Sequence, residues 1–208
     1  MSTRGSGWRC FVAVAIGEAL QAELAAVVDR WHKERDGPKL RWTDAAGWHV
    51  TLAFLGQLAQ ELIAPIGGAL GDLASHAEPF RVQSGGLGAF PSRGRARVLW
   101  YRITDPAGEL ARLAAEVRTA LAPMVPALAN EKTFRPHLTL ARARDERGIS
   151  LTDWLAGHDV PAGAIDVNQV ILFRSHLGHG PAQYEALRTL PLGAEFPQGA
   201  MFEALTHG

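Results

Sequence analysis

The tetrapeptide histidine–apolar–threonine–leucine occurs twice in this chain. It lies in "WHVTLAFLG" (residues 48–56) and again in "FRPHLTLAR" (134–142), with His49 and His137 88 positions apart (137 − 49). One copy carries little information, because threonine between apolar residues is ordinary strand composition. Two copies in matching surroundings constrain the fold far more. An amphipathic stretch precedes each: Leu20, Leu24, Val27, Val28 and Trp31 before the first, and Leu110, Leu113, Ala114, Val117 and Leu121 before the second. A strand start comes after each, "FRV" at Phe80 and "IDV" at Ile165. The pattern predicts one bilobal domain over 9–195, with related halves of roughly 9–104 and 105–195. Strands can be exchanged between the lobes, and residues 1–8 and 196–208 are left as tails.

Short apolar runs rich in β-branched and aromatic residues predict strands over Arg9–Ile16, Trp48–Leu55, Phe80–Ser84, Val98–Ile103, Phe134–Ala141, Ala164–Phe173 and Gln183–Leu190. Lys39–Thr43 fits a short edge strand. Helices are expected over Glu18–Lys33, through Leu62–Leu73 and Leu110–Leu121, and briefly from a Ser150 cap to Leu155. Asp105 is the expected N-cap of the third, with Pro106 at its first helical position. "GGLGAFPSRGRAR" is expected to be a loop. About eight strands and four helices without strict alternation imply an α+β fold. The expected form is two antiparallel sheets flanked by helices, with pseudo-twofold duplication and a central cleft.

Lys+Arg and Asp+Glu both number 21, so bulk charge does not drive binding to nucleic acid, and only a local basic patch can. Arg93, Arg95, Arg97, Arg142, Arg144 and Arg147 are candidates for such a rim. Trp48 and Phe90 are candidates for stacking on a base, as is Trp100, which fits core packing better. The single cysteine, Cys10, excludes an intramolecular disulfide and fits a small buried core position. The run Cys10–Ile16 is too short to span a membrane, and a cytoplasmic protein is expected.

Side chains alternate along a strand, so His49 and Thr51 share one face, while Val50, Leu52 and Phe54 take the other. His137 and Thr139 repeat the arrangement, with Leu138 and Leu140 opposite. A pseudo-twofold pairing brings two imidazoles and two hydroxyls to one cleft. Imidazole gives or takes a proton near neutral pH, and threonine donates to a phosphate oxygen. Such a set fits acid–base hydrolysis of a phosphodiester. A metal site is not expected, since no carboxylate cluster flanks either motif. His176 and His179 in "SHLGHG" fit an exposed glycine-rich turn better than a metal site.

These motifs resemble those of the two-histidine phosphoesterase superfamily. Within it, the chain resembles the bacterial and archaeal RNA 2′,3′-cyclic phosphodiesterases, also called 2′-5′ RNA ligases. "RCFVAVAI", "GAFPSRGRARVLW" and "ILFRSHLGHGPAQYEALRTLPL" extend the likeness over residues 9–192. The resemblance implies hydrolysis of a terminal 2′,3′-cyclic phosphate to a 2′-phosphate without metal or other cofactor, with ligation as the reverse sense of related chemistry. It implies His49 as proton donor, His137 as proton acceptor, and Thr51 and Thr139 on the phosphate. Arg142 also matches. Strict alternation puts it opposite His137, so a phosphate role for it requires a bulge or a strand end. The expected partner is RNA with a cyclic phosphate end, tRNA fragments included, or a small cyclic nucleotide. A monomer is expected. Related activities on small cyclic phosphates or 2′-5′ oligonucleotides, and a non-catalytic RNA-end binding module, are the alternatives.

Overall fold

The structure is a computed structural model that describes residues 7–35, 37–130, 133–176 and 182–194. His179 lies outside them. The described chain forms nine strands and four α-helices. In chain order these are β1 (Trp8–Ala15), α1 (Glu18–His32), β2 (Leu40–Trp42), β3 (His49–Leu58), α2 (Ile63–His76), β4 (Phe80–Phe90) and β5 (Val98–Thr104). Then come α3 (Glu109–Leu121), β6 (His137–Ala143), α4 (Thr152–Ala156), β7 (Gly163–Val167), β8 (Gln169–His176) and β9 (Gln183–Pro191). No described helix is long and apolar enough to cross a membrane.

Every strand pairing is antiparallel, in the order β7-β4-β5-β6-β3-β1-β8-β9. Two groups are visible within this path, β3-β1-β8-β9 and β6-β5-β4-β7. A single residue pair, Val50↔Leu138, joins them. These are the same position of the two repeated motifs, so the pseudo-twofold relation passes between them. β3 leaves β6 after that pair, and β2 pairs with β6 further along through Leu40↔Ala143, Arg41↔Arg142 and Trp42↔Ala141.

Several sequence expectations change here. "FRV" and "IDV" are not equivalent positions. β4 and β7 lie side by side, with Phe80 opposite Val167 and Val82 opposite Ile165. The expected strand Ala164–Phe173 is divided at Asn168, because β7 pairs with β4 in one group and β8 with β1 in the other. Gly85–Phe90, expected as loop, extends β4. Gly88 sits opposite Trp100 and leaves no room for a side chain, since a Cβ there would enter the indole ring. At α3 the N-cap is Gly108, at φ 72°, and Asp105 instead accepts from the Ala111 backbone N–H at 3.0 Å. Ser150 does not cap α4, whose N-cap is Leu151.

The core lies between the strands and the helices. Val50, Leu52, Leu138 and Leu140 are buried beside Leu110, Leu113, Val117 and Leu121 of α3. The α2 helix packs on α3, β8 and β9, and α3 packs on β3. Cys10 is buried in this core, and desolvation raises its thiol to about pKa 11, so it stays protonated and inert.

Among the described residues the largest fully buried side chain is that of Tyr101. Its hydroxyl lies 2.7 Å from the Pro161 carbonyl and 3.0 Å from Ser84 Oγ, which in turn donates to the Gly163 carbonyl. This polar set ties the start of β7 to β4 and β5. Tyr101→Phe leaves the shape intact but takes away the donor to Pro161. It should cost about 1–2 kcal/mol, read as a Tm several degrees lower in a thermal melt.

Candidate active site

Both motif histidines are fixed in the same local way. His49 Nδ1 lies 2.7 Å from the Gly47 carbonyl, and His137 Nδ1 lies 2.7 Å from the Arg135 carbonyl. A carbonyl only accepts, so each Nδ1 carries the hydrogen and each Nε2 is left to exchange protons with a substrate. The antiparallel register about Val50↔Leu138 sets His49 beside Thr139 and Thr51 beside His137 on one face. Val50, Leu52, Leu138 and Leu140 face the core.

Alternation fails at the same place in both strands. Ala13 pairs with Thr51 and Val12 with Ala53, so Leu52 is an extra residue in β3. Trp100 pairs with Thr139 and Leu99 with Ala141, so Leu140 is an extra residue in β6. Each bulge buries two consecutive apolar residues, Leu52–Ala53 and Leu140–Ala141, and reverses the facing of the residues after it. Arg142 therefore reaches the same cleft as His137 and Thr51. The bulge it required is present. Phe54, five residues after His49 as Arg142 is after His137, is carried out of the core in the same way. It is 58% exposed and lines the cleft, which corrects the core position expected for it. The run Leu–Ala after each threonine was the signal in the sequence, two apolar residues where alternation calls for one.

Side chains hold the bulged backbone. Thr43 Oγ1 is 2.9 Å from the Thr139 carbonyl and 2.8 Å from that of Leu140, and it accepts from Trp48 Nε1 at 2.8 Å. Trp48 is thus a buried brace and not a base-stacking platform. Arg118 of α3 donates to the Leu52 carbonyl at 3.4 Å.

The cleft has a volume of about 1080 Å³. Among the described residues five arginines line it, Arg41, Arg97, Arg118, Arg135 and Arg142, with Asp145 and Glu146. Of the rim foreseen from sequence, only Arg97 and Arg142 are among the lining residues. Arg95 donates to the Arg147 carbonyl, and Arg147 pairs with Asp145 at 3.0 Å. Phe90 lines the cleft and stacks on Trp100, with ring centres 5.0 Å apart, and both rings pack against His137. His49 and Thr139 are not among the residues of the cleft wall. His176 is bonded to Glu185 at 2.8 Å. Among the described residues no three His, Cys, Asp or Glu side chains cluster as metal ligands would.

The two imidazoles differ in their surroundings. His49 stacks on Phe11 at 4.6 Å and meets the edge of Tyr184 at 5.0 Å, with Phe173 at 5.9 Å. This desolvation lowers it from 6.5 to about 4, against the Gly47 bond that raises it, with the His137 and Arg142 charges lowering it further. His137 is lowered by burial and by Arg142, again against its carbonyl bond.

For a histidine held neutral by the fold, the unfolded chain takes up a proton more readily than the native one. The stability contributed by His49 is full above pH 6.5 and is lost as the pH falls toward 4. Thermal melts between pH 8 and 4 should show Tm falling through that window. His49→Gln should flatten the fall. An equally steep decline in the variant would assign the acid limb to other groups.

Known proteins share both the sequence pattern and the fold. The family model described as LigT-like phosphoesterase matches residues 14–100. An Aeropyrum pernix protein named RNA 2′,3′-cyclic phosphodiesterase is 34% identical over 154 residues, covering 73% of this chain and 85% of its own. An Aquifex aeolicus protein of the same name is 29% identical over 88% of this chain and 98% of its own. Among solved structures, a Thermus thermophilus protein superposes with a TM-score of 0.69 at 26% identity, over 90% of this chain and all of its own. LigT of E. coli in its apo form shares the fold, with a TM-score of 0.69 at 22% identity over 91% of this chain and all of its own. The chain belongs to the LigT-like phosphoesterase family.

Proposed function

We propose that this protein is an RNA 2′,3′-cyclic phosphodiesterase that opens a terminal cyclic phosphate to a 2′-phosphate. The observation that carries this reading is the pair of imidazoles, each with Nδ1 tied to the carbonyl two residues before it and each left with Nε2 for proton exchange. The names of the Aeropyrum and Aquifex relatives support the substrate class, an RNA end.

In the proposed reaction the phosphate lies between the two motifs, with the Thr51 and Thr139 hydroxyls on its non-bridging oxygens. Neutral His137 takes a proton at Nε2 from a water molecule as the water oxygen attacks phosphorus. The bond from phosphorus to O3′ breaks, and His49 gives that oxygen the proton from its own Nε2. The products are a 2′-phosphomonoester and a free 3′ hydroxyl, and one proton has passed from His49 to His137. No step needs a metal ion. Arg142 neutralises charge on the phosphate from the same face, and exposed Phe54 offers a ring to the adjoining base. His49 is neutral in the free protein at pH 7, so its donor role requires proton uptake as the anionic substrate enters.

Each proton transfer contributes about 10²–10⁴-fold in rate. His49→Ala and His137→Ala should each lose at least about 10²-fold in kcat while keeping a cooperative melt. Full activity in either variant would overturn the two-histidine reading. A substrate with p-nitrophenolate as leaving group needs no proton donor, so it should restore His49→Ala more than His137→Ala. The opposite pattern exchanges the two roles. Activity should persist in excess chelator, and a loss that zinc or manganese reverses would point to a metal site.

A further inference from the structure

The cross-strand pair Arg41↔Arg142 is an unusual place for two cations. Arg41 is the middle residue of β2, which has only three residues, and Arg142 stands directly opposite on β6. Like charges facing one another on neighbouring strands destabilise a sheet. Both side chains are exposed, and both line the cleft. Arg97, next to Val98 on the far side of Arg142, lines it too. Among the described residues no ion pair joins Arg41, Arg97 or Arg142 to a carboxylate. Of the carboxylates that line the cleft among the described residues, Asp145 is paired with Arg147, and Glu146 is the other. An anion between the facing guanidiniums turns the repulsion into attraction.

The position of this pair decides which anion fits. Arg142 comes five residues after His137, one of them bulged out, so their backbones are roughly 13–16 Å apart at strand rise. The charge of Arg142 acts on both histidines, while Arg41 stands across from it on the neighbouring strand β2. A nucleoside cyclic phosphate held at the histidines has no second phosphate to place there. An RNA chain does.

We propose that Arg41 and Arg97, on either side of Arg142, form a second phosphate subsite for an internucleotide phosphate upstream of the reacting phosphate that Arg142 faces. The site is then built for oligonucleotides in preference to mononucleotides. This rests on the phosphodiesterase reading of the cleft but is tested by binding, which does not depend on turnover. The measurement is calorimetric titration of the full chain with a trinucleotide ending in 2′-phosphate and with a nucleoside 2′-phosphate.

Arg41→Gln should weaken trinucleotide binding by roughly tenfold and nucleoside 2′-phosphate binding by much less. It should also reduce the slope of log K against log salt for the trinucleotide by about 0.7, the value for one phosphate contact on a single strand. Arg41→Lys should restore much of the slope. Relief of the like-charge pair should leave the Tm of the free variant equal to or above that of the parent. Equal weakening of both ligands, or an unchanged salt slope, would overturn the subsite. Absence of hydrolysis in the parent, with these binding differences intact, would overturn the catalytic reading and leave the subsite standing.

Discussion

The extra residues at Leu52 and Leu140 decide which side chains meet in the cleft. A strand that alternates without interruption presents only every second residue to one face. His49 and Thr51, or His137 and Thr139, would then share that face with Ala53 or Ala141. The bulge buries the alanine and turns the next residue outward, so each half adds a third functional group to its histidine and threonine. In one half that group is the cation Arg142, and in the other the ring of Phe54. The carbonyls at the bulges are held by Thr43 in one half and by Arg118 in the other. A feature of the backbone thus sets the chemical content of the site.

The duplication gives the two halves one geometry and two environments. Both histidines use the same carbonyl tether, which fixes the tautomer without a carboxylate partner. The neighbouring strand is where they differ. Opposite His49 and Thr51, β1 supplies Ala15 and Ala13, and the space above is closed by Phe11, Phe173 and Tyr184. Opposite His137 and Thr139, β5 supplies Arg102 and Trp100. Desolvation is therefore more severe at His49, and the two imidazoles are not electrostatic copies. A symmetric backbone can in this way support an asymmetric reaction, in which one nitrogen gives a proton and the other takes one.

The cations of the cleft depend on pairing distant in sequence. Arg41 comes before the first motif, yet β2 pairs with the strand of the second. The "GGLGAFPSRGRAR" segment, basic by composition, supplies only Arg97 among its arginines to the cleft wall, because Arg95 turns toward the Arg147 carbonyl. Composition marked a basic segment, and strand register selected which of its charges face the site.

The sequence by itself determined the repeated strands, the helices before them, the α+β class and the two histidine–threonine pairs. Each of these arises from local periodicity and from a repeat visible in the residues. Tertiary structure alone decided that β7 and β8 part into different groups at Asn168, that Trp48 braces a bulge, and that Phe54 and Arg142 face the cleft. The reason is physical. A bulge is a mismatch between two paired strands, so it does not exist until the partner's register is set, and the partners here lie far away in the chain.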